Sequence, residues 1–228
     1  MKLIITRRDS IKPARKRCIQ KFLHYFKKGF HDEKYIAWER QYKSDAHIQF
    51  QQKLNHKAFK ELLAAKAFEE ISRTAIQIES KTNLLFSFEK MAIRDAVKSK
   101  EGARLFASGL FDYLYTGGSL QQRFENFIGV ISQLPRKQTR VLTWPLLTIF
   151  GFIAEPEKHI FLKPKVTQRA AEKYKFHFDY ISPPNWDTYE SLFAFAEQIR
   201  RDTNHLHPRD YIDLQSFIWV MGSDEYPD

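Results

Sequence analysis

Cysteine is nearly absent from this chain of 228 residues, which has one, Cys18. A single cysteine excludes an internal disulfide framework and a zinc site with several thiolate ligands, and it favours a reducing compartment. The chain also lacks the roughly 18 to 20 uninterrupted apolar residues that a membrane-spanning helix needs. Its first ten residues lack the long apolar stretch of a secretory signal. We therefore expect a cytoplasmic protein with no membrane segment.

Glycine is scarce as well, with eight residues, and the common catalytic motifs are missing. The sequence has no G-x-S-x-G nucleophile motif, no phosphate-binding glycine loop and no H-E-x-x-H zinc motif. Its eight histidines follow no established spacing of metal ligands. We expect neither a metal ion nor a cofactor, and catalysis is left open. An enzyme of unknown chemistry would draw on the polar candidates Lys163, Asp210 and Asp213.

Apolar and aromatic residues are plentiful and recur mostly at helical spacing. Hydrophobic residues make up 43% of the chain and aromatic residues 15%, including 20 phenylalanines. The segment 58–80 carries one apolar stripe with the three- and four-residue repeat of an amphipathic helix. Ser99 and Ser119 stand where N-caps are expected. The sequence predicts an all-α fold, a globular domain of about nine or ten helices joined by short turns.

The net charge of +10 is concentrated in two blocks. Residues 1–60 contain 16 Lys or Arg and 5 Asp or Glu, and residues 134–175 contain 9 and 3. The segment 61–133 is balanced, and residues 176–228 contain 3 basic and 10 acidic residues. We therefore divide the chain into a basic helical N-terminal extension, 1–60, and a main all-α domain, 61–228.

Two basic blocks favour a polyanionic partner, and nucleic acid is the first candidate. We expect a DNA-binding protein that contacts the phosphate backbone, with little sequence specificity. The candidate contacts in the second block are Arg136, Lys137, Arg140, Lys163, Lys165 and Arg169. Those in the first block are Arg15, Lys16 and Arg17. Two alternatives stay open: a module that docks an acidic protein, and pairing of the basic blocks with the chain's own acidic C-terminal segment.

Part of the second block resembles the helix-hairpin-helix DNA glycosylase superfamily. The run Leu134-Pro135-Arg136-Lys137-Gln138-Thr139 is similar to the start of the hairpin, and Lys163–Ala171 is similar to the later basic helix. The resemblance covers residues 134–174 and implies an all-α DNA-binding fold. Arg136 and Gln138 stand where the family has glycines, and no Asp between residues 134 and 174 matches the catalytic one. It therefore implies DNA binding more than base excision.

Overall fold

The computed structural model describes residues 7–228, and within that range the predicted all-α class is confirmed, with 71% helix and no strand. A π-helical turn, Ile36–Arg40, joins the short helix Glu33–Tyr35 to the helix Gln41–Leu54, so the twelve α-helical segments of the described range form eleven helices, against the nine or ten expected. The segments are α1 (Arg7–Tyr25), α2 (Glu33–Tyr35), α3 (Gln41–Leu54), α4 (His56–Ala64), α5 (Phe68–Ser80), α6 (Ser87–Ala96), α7 (Lys100–Tyr115), α8 (Leu120–Gln133), α9 (Trp144–Ala154), α10 (Pro164–Tyr174), α11 (Trp186–Asp202) and α12 (Tyr211–Gly222).

Local side chains fix several helix starts. The side chain of Ser99 accepts a hydrogen bond from Gly102 N at 3.0 Å, and that of Ser119 accepts one from Gln122 N at 3.1 Å. Each bond satisfies a backbone donor that lacks a partner in the first turn. Both predicted N-caps are therefore confirmed.

Helix α9 forms the apolar centre of the molecule. All of its residues are buried, and it packs against α3, α5, α6, α7 and α8. It begins at Trp144, because Thr143 caps it and Pro145 occupies its first turn. Proline suits that position, where its missing N–H is not needed for a helical hydrogen bond.

Helix α12 is the second centre, and it contacts α1, α10 and α11. Its Gly222 lies so close to α10 that an added Cβ would meet Val166 O at 2.0 Å. The α10–α12 crossing therefore requires glycine at this position. The same helix carries Phe217, whose ring centroid lies 5.2 Å from that of Phe22 on α1.

The packing does not support a separate N-terminal extension. Phe22, Phe26 and Phe50 are fully buried within the hydrophobic cluster that also contains Phe217. The expected boundary at residue 60 falls inside α4. The basic residues of this block alternate with apolar ones, so its helices expose charge on one side and complete the core on the other. Residues 1–6 lie outside the described part of the chain.

Candidate nucleic-acid interface

The two basic blocks meet in a cleft between α1 and the end of α10. Arg17 and Lys21 line it from the first block, and Lys173 and Lys175 line it from the second. The cleft has a volume of about 700 Å³. We call it the basic cleft. Like charges from distant parts of the chain are held together here because α1 packs directly on α10.

Asp228 occupies the basic cleft with its side-chain carboxylate. Lys21 Nζ lies 2.6 Å from Asp228 Oδ1, and Lys173 Nζ lies 2.7 Å from Oδ2. Hydrogen bonds from Lys173 and Lys21 lower the pKa of Asp228 to about 2. Two ammonium groups thus converge on one anionic group.

A second acidic residue of the C-terminal segment contacts α10. Arg169 Nη1 donates to both carboxylate oxygens of Asp224, at 2.9 and 3.0 Å. Arg169 and Asp224 are both largely exposed, so this pair is worth little in stability. Pairing between the second basic block and the acidic segment, one of the alternatives left open by the sequence, is therefore present at the surface.

The three candidate contacts on α1 differ in their surroundings. Lys16 and Arg17 are exposed. Arg15 is partly buried: its Nη1 lies 3.4 Å from Asp202 Oδ2, and its guanidinium lies 5.4 Å from the ring centroid of Tyr174. Arg17 is the one of these three that lines the basic cleft.

The remaining second-block candidates lie outside the basic cleft. Arg136, Lys137 and Arg140 are exposed on the segment between α8 and α9. Arg136 and Arg140 line a separate pocket of about 230 Å³, together with Pro183. Lys165 is exposed near the start of α10. The structure does not gather the predicted contacts into a single site.

Lys163 was predicted as a phosphate contact, and this prediction is wrong because its side chain is buried. Its Nζ donates to Glu89 Oε2 at 3.2 Å and to Leu84 O at 3.1 Å, and it lies 3.5 Å from the ring centroid of Phe86. Burial lowers the pKa of Lys163, and the Glu89 carboxylate opposes that shift. These bonds are intramolecular, so we do not retain Lys163 as a phosphate contact.

Asp210 and Asp213 belong to an ion network at the start of α12. Asp210 is the N-cap of α12. Arg40 Nη2 lies 2.6 Å from Asp210 Oδ2, and Arg40 Nη1 lies 2.8 Å from Asp213 Oδ1. Burial raises the pKa of Asp213, but hydrogen bonds from Arg209 and the charge of Arg40 outweigh it, so the net shift is downward.

Tyr35 completes this network, since its hydroxyl donates to Asp213 Oδ1 at 2.6 Å. Every carboxylate oxygen in the network has a donor. The arrangement ties the π-helical turn and α12 together, and it gives no support to a catalytic role for Asp213.

No family model, curated protein or solved structure matches this chain. The resemblance of residues 134–174 to the glycosylase superfamily therefore stays a prediction.

Metal-binding and membrane-spanning features are absent from residues 7–228. This range contains no group of three or more His, Cys, Asp or Glu side chains arranged to hold a metal ion. None of its helices combines the length and apolar character needed to cross a membrane.

Sequence reasoning missed Lys21, Lys173 and Lys175 as members of the cleft. Lys21 and Lys173 are 152 residues apart in the sequence, so no motif links them. The available signal was weaker: Lys21 follows the predicted contact Arg17 by four residues, and Lys173 and Lys175 follow Arg169 by four and six. Only the packing of α1 on α10 shows which cations share a surface.

Proposed function

We propose that this chain binds nucleic acid, duplex DNA in the first instance, and that the basic cleft contacts the phosphate backbone. The observation that carries the proposal is the convergence of Arg17, Lys21, Lys173 and Lys175 from two sequence blocks. A phosphate group offers anionic oxygens like those of the Asp228 carboxylate, which two of these lysines already bind. Backbone contacts of this kind give affinity without sequence readout.

A cytoplasmic location is part of the same proposal. Its support is the single cysteine, Cys18, which is free and buried. Burial raises the pKa of the Cys18 thiol, although the charges of Lys173 and Lys21 act against this. A buried, protonated thiol is poorly reactive and is compatible with a reducing compartment.

The proposal is tested by measuring the affinity for a labelled DNA duplex by fluorescence anisotropy, between about 50 and 200 mM salt. We expect the logarithm of the binding constant to fall linearly with the logarithm of the salt concentration, because each neutralised phosphate releases counterions. Replacing Arg17, Lys173 and Lys175 together with Ala should weaken binding. The salt slope should become shallower by about 0.9 for each phosphate that the variant no longer neutralises.

A matched control removes the same charge elsewhere. Lys53, Lys57 and Lys60 are exposed near the junction of α3 and α4, and their replacement by Ala also lowers the net charge by three. We expect this control to keep the wild-type slope. The triple replacement of Arg136, Lys137 and Arg140 tests the cations of the hairpin-like segment in the same way.

Equal weakening by the cleft and control variants would mean that net charge alone drives association, and it would remove the cleft from the proposal. Duplex binding that is undetectable at about 50 mM salt would refute DNA binding. An acidic protein partner would then be the better explanation of the basic cleft, since its carboxylates would replace that of Asp228.

A further inference from the structure

Lys21 belongs to the wall of the basic cleft, and the anionic group that it binds lies nearer to solvent. The side chain of Lys21 is 12% exposed, whereas that of Asp228 is 67% exposed. Hydrogen bonds from both lysines meet on the Asp228 carboxylate, at 2.6 Å from Lys21 and at 2.9 and 2.7 Å from Lys173. The cleft therefore directs two ammonium groups at one point, where a single anionic group fits.

The basic cleft carries more positive charge than Asp228 neutralises. Arg17 and Lys175 also line it and are exposed, and within residues 7–228 neither forms an ion pair. Of the side chains that line the cleft, four are cationic and one is anionic, with His24 counted as neutral. An excess of three positive charges is therefore left around the point that the carboxylate occupies.

Most of these cations lie near helix C-termini. Lys21 lies one turn before the end of α1, Lys173 lies in the last turn of α10, and Lys175 is the C-cap of α10. Backbone N–H groups without a helical partner occur at helix N-termini, so here the cationic side chains hold the anion. A lysine ammonium is a compact point charge, so the affinity depends mainly on the charge of the ligand.

The floor of the basic cleft is apolar. Ala14, Cys18 and Met221 line it, and each is at most 5% exposed. The volume of about 700 Å³ lies within the range of small-ligand sites. An apolar floor beneath a group of cations suits a ligand with an anionic head and a body of carbon atoms, such as a sugar phosphate.

Phosphates within a nucleic-acid strand differ from those at its end. An internal phosphodiester carries one negative charge and a sugar on each side, so a duplex presents single charges spaced along its outer surface. A terminal phosphomonoester carries a charge of about −1.5 to −2 at pH 7 and has three oxygens that accept hydrogen bonds. An excess of positive charge around one point in a concave site therefore matches the end of a strand better than its middle.

On the basis of the nucleic-acid binding proposed above, we propose that the basic cleft recognises a terminal phosphomonoester of a nucleic-acid strand. Lys21 and Lys173 donate to its oxygens in place of the Asp228 carboxylate, and Arg17 and Lys175 supply further positive charge. The Asp228 side chain turns outward, which costs little because exposed ion pairs are weak. The terminal sugar lies on the apolar floor. The phosphate is at the 5′ or the 3′ end of the strand.

The test compares DNA hairpins that share one sequence, one blunt end and a fluorophore in the loop. The blunt end carries a 5′-phosphate, a 3′-phosphate, hydroxyl groups only, or a methyl-capped phosphate, which is a diester with a single charge. We expect one of the two phosphorylated hairpins to bind about tenfold or more tightly than the hydroxyl hairpin in anisotropy titrations, because hydrogen bonds between charged groups are the strong ones. The end that gives the gain identifies the source of the phosphate. The methyl-capped hairpin should lose most of the gain.

Two variants locate the gain in the cleft. Lys21→Met and Lys173→Met should each remove most of the preference for the phosphorylated end, since methionine keeps an apolar side chain of similar length without the charge. Lys173 is 40% exposed, so its variant tests the cleft even if Lys21→Met alters the fold. The matched control is Lys57→Met, at an exposed position on α4, and it should keep the preference.

Equal affinity for the phosphorylated and hydroxyl hairpins would overturn recognition of the end while leaving binding to the phosphate backbone in place. A preference that survives both lysine variants would overturn it too, because the phosphate would then bind elsewhere. So would a preference that the methyl-capped hairpin shares in full, because the second charge would then have no role. If no hairpin binds at about 50 mM salt, DNA binding itself is refuted together with recognition of the end.

Discussion

At the scale of the residue, His159 is a buried base in an apolar setting. It is fully buried, its Nδ1 lies 2.9 Å from the Tyr113 hydroxyl, and its Nε2 has no hydrogen-bond partner. Glu155 Oε2 is 3.9 Å from that Nε2, too far for a hydrogen bond. Burial, together with the charges of Arg123 and Lys158, lowers the pKa of His159 to about 3.

This pKa predicts that the protein loses stability as the pH falls below about 6.5. Between that pH and about 3 the unfolded chain holds a proton on this histidine and the folded chain does not, so acid favours unfolding. The expected slope is about 1.4 kcal/mol for each pH unit. Urea denaturation between about pH 7 and 5 measures it.

A variant separates this histidine from the others. His159→Gln should flatten the slope above about pH 5, even if it lowers stability at neutral pH. The exposed His205→Gln is the control and should keep the slope. If the free energy of unfolding of the wild-type protein stays constant from about pH 6.5 to 5, His159 is not held neutral by the fold.

At the scale of the element, the segment after α12 places two carboxylates beside cations of α10 and α1. Asp224 pairs with Arg169, and Asp228 pairs with Lys21 and Lys173. If the basic cleft binds DNA, phosphate must displace these carboxylates. Exposed ion pairs contribute roughly 0 to 1 kcal/mol each, so the competition is modest.

We therefore predict that Asp224→Asn combined with Asp228→Asn tightens DNA binding on the order of threefold to tenfold at low salt. The matched control is Asp187→Asn with Glu190→Gln, two exposed residues on α11. It changes the net charge equally and should have a smaller effect. Equal tightening by both pairs in anisotropy titrations would show that this segment does not compete for the cleft.

Features that depend on neighbouring residues, such as helix starts, could be predicted from the sequence. Contacts between helices that are distant in the sequence could not. Ser99 and Ser119 cap their helices through bonds that span three residues, so local spacing reveals them. Lys163 reads as one more cation of a basic block, because its partner Glu89 lies 74 residues away. The basic cleft escaped prediction for the same reason. The apolar pattern of a helix shows which of its sides faces the core, but it does not show which other helix packs against that side.

At the scale of the whole molecule, residues 12–60 supply both core and polar contacts to α12. Phe22 packs on Phe217, and Lys43 donates to Ser216. Arg40 and Tyr35 bind the carboxylates of the Asp210–Asp213 pair. The first basic block is thus joined to the rest of the chain by apolar packing and by buried ionic bonds.

These interactions predict that residues 61–228 do not fold alone. Removing one buried phenylalanine costs about 3 to 5 kcal/mol, while a whole domain is stable by about 5 to 15 kcal/mol. The fragment lacks four phenylalanines that are each 0% exposed, Phe22, Phe26, Phe30 and Phe50. The free energy lost with them therefore exceeds the stability of a whole domain. Asp213 would also lose its bonds from Arg40 and Tyr35.

The measurement is thermal unfolding of the fragment 61–228, followed by circular dichroism beside the full chain. We expect a cooperative transition for the full chain and none for the fragment. Because the boundary at residue 60 cuts α4, the fragment 56–228, which keeps α4 whole, is the control for that cut. It should fail as well, since it also lacks the four phenylalanines. A cooperative transition in either fragment would restore the N-terminal block as a separate extension.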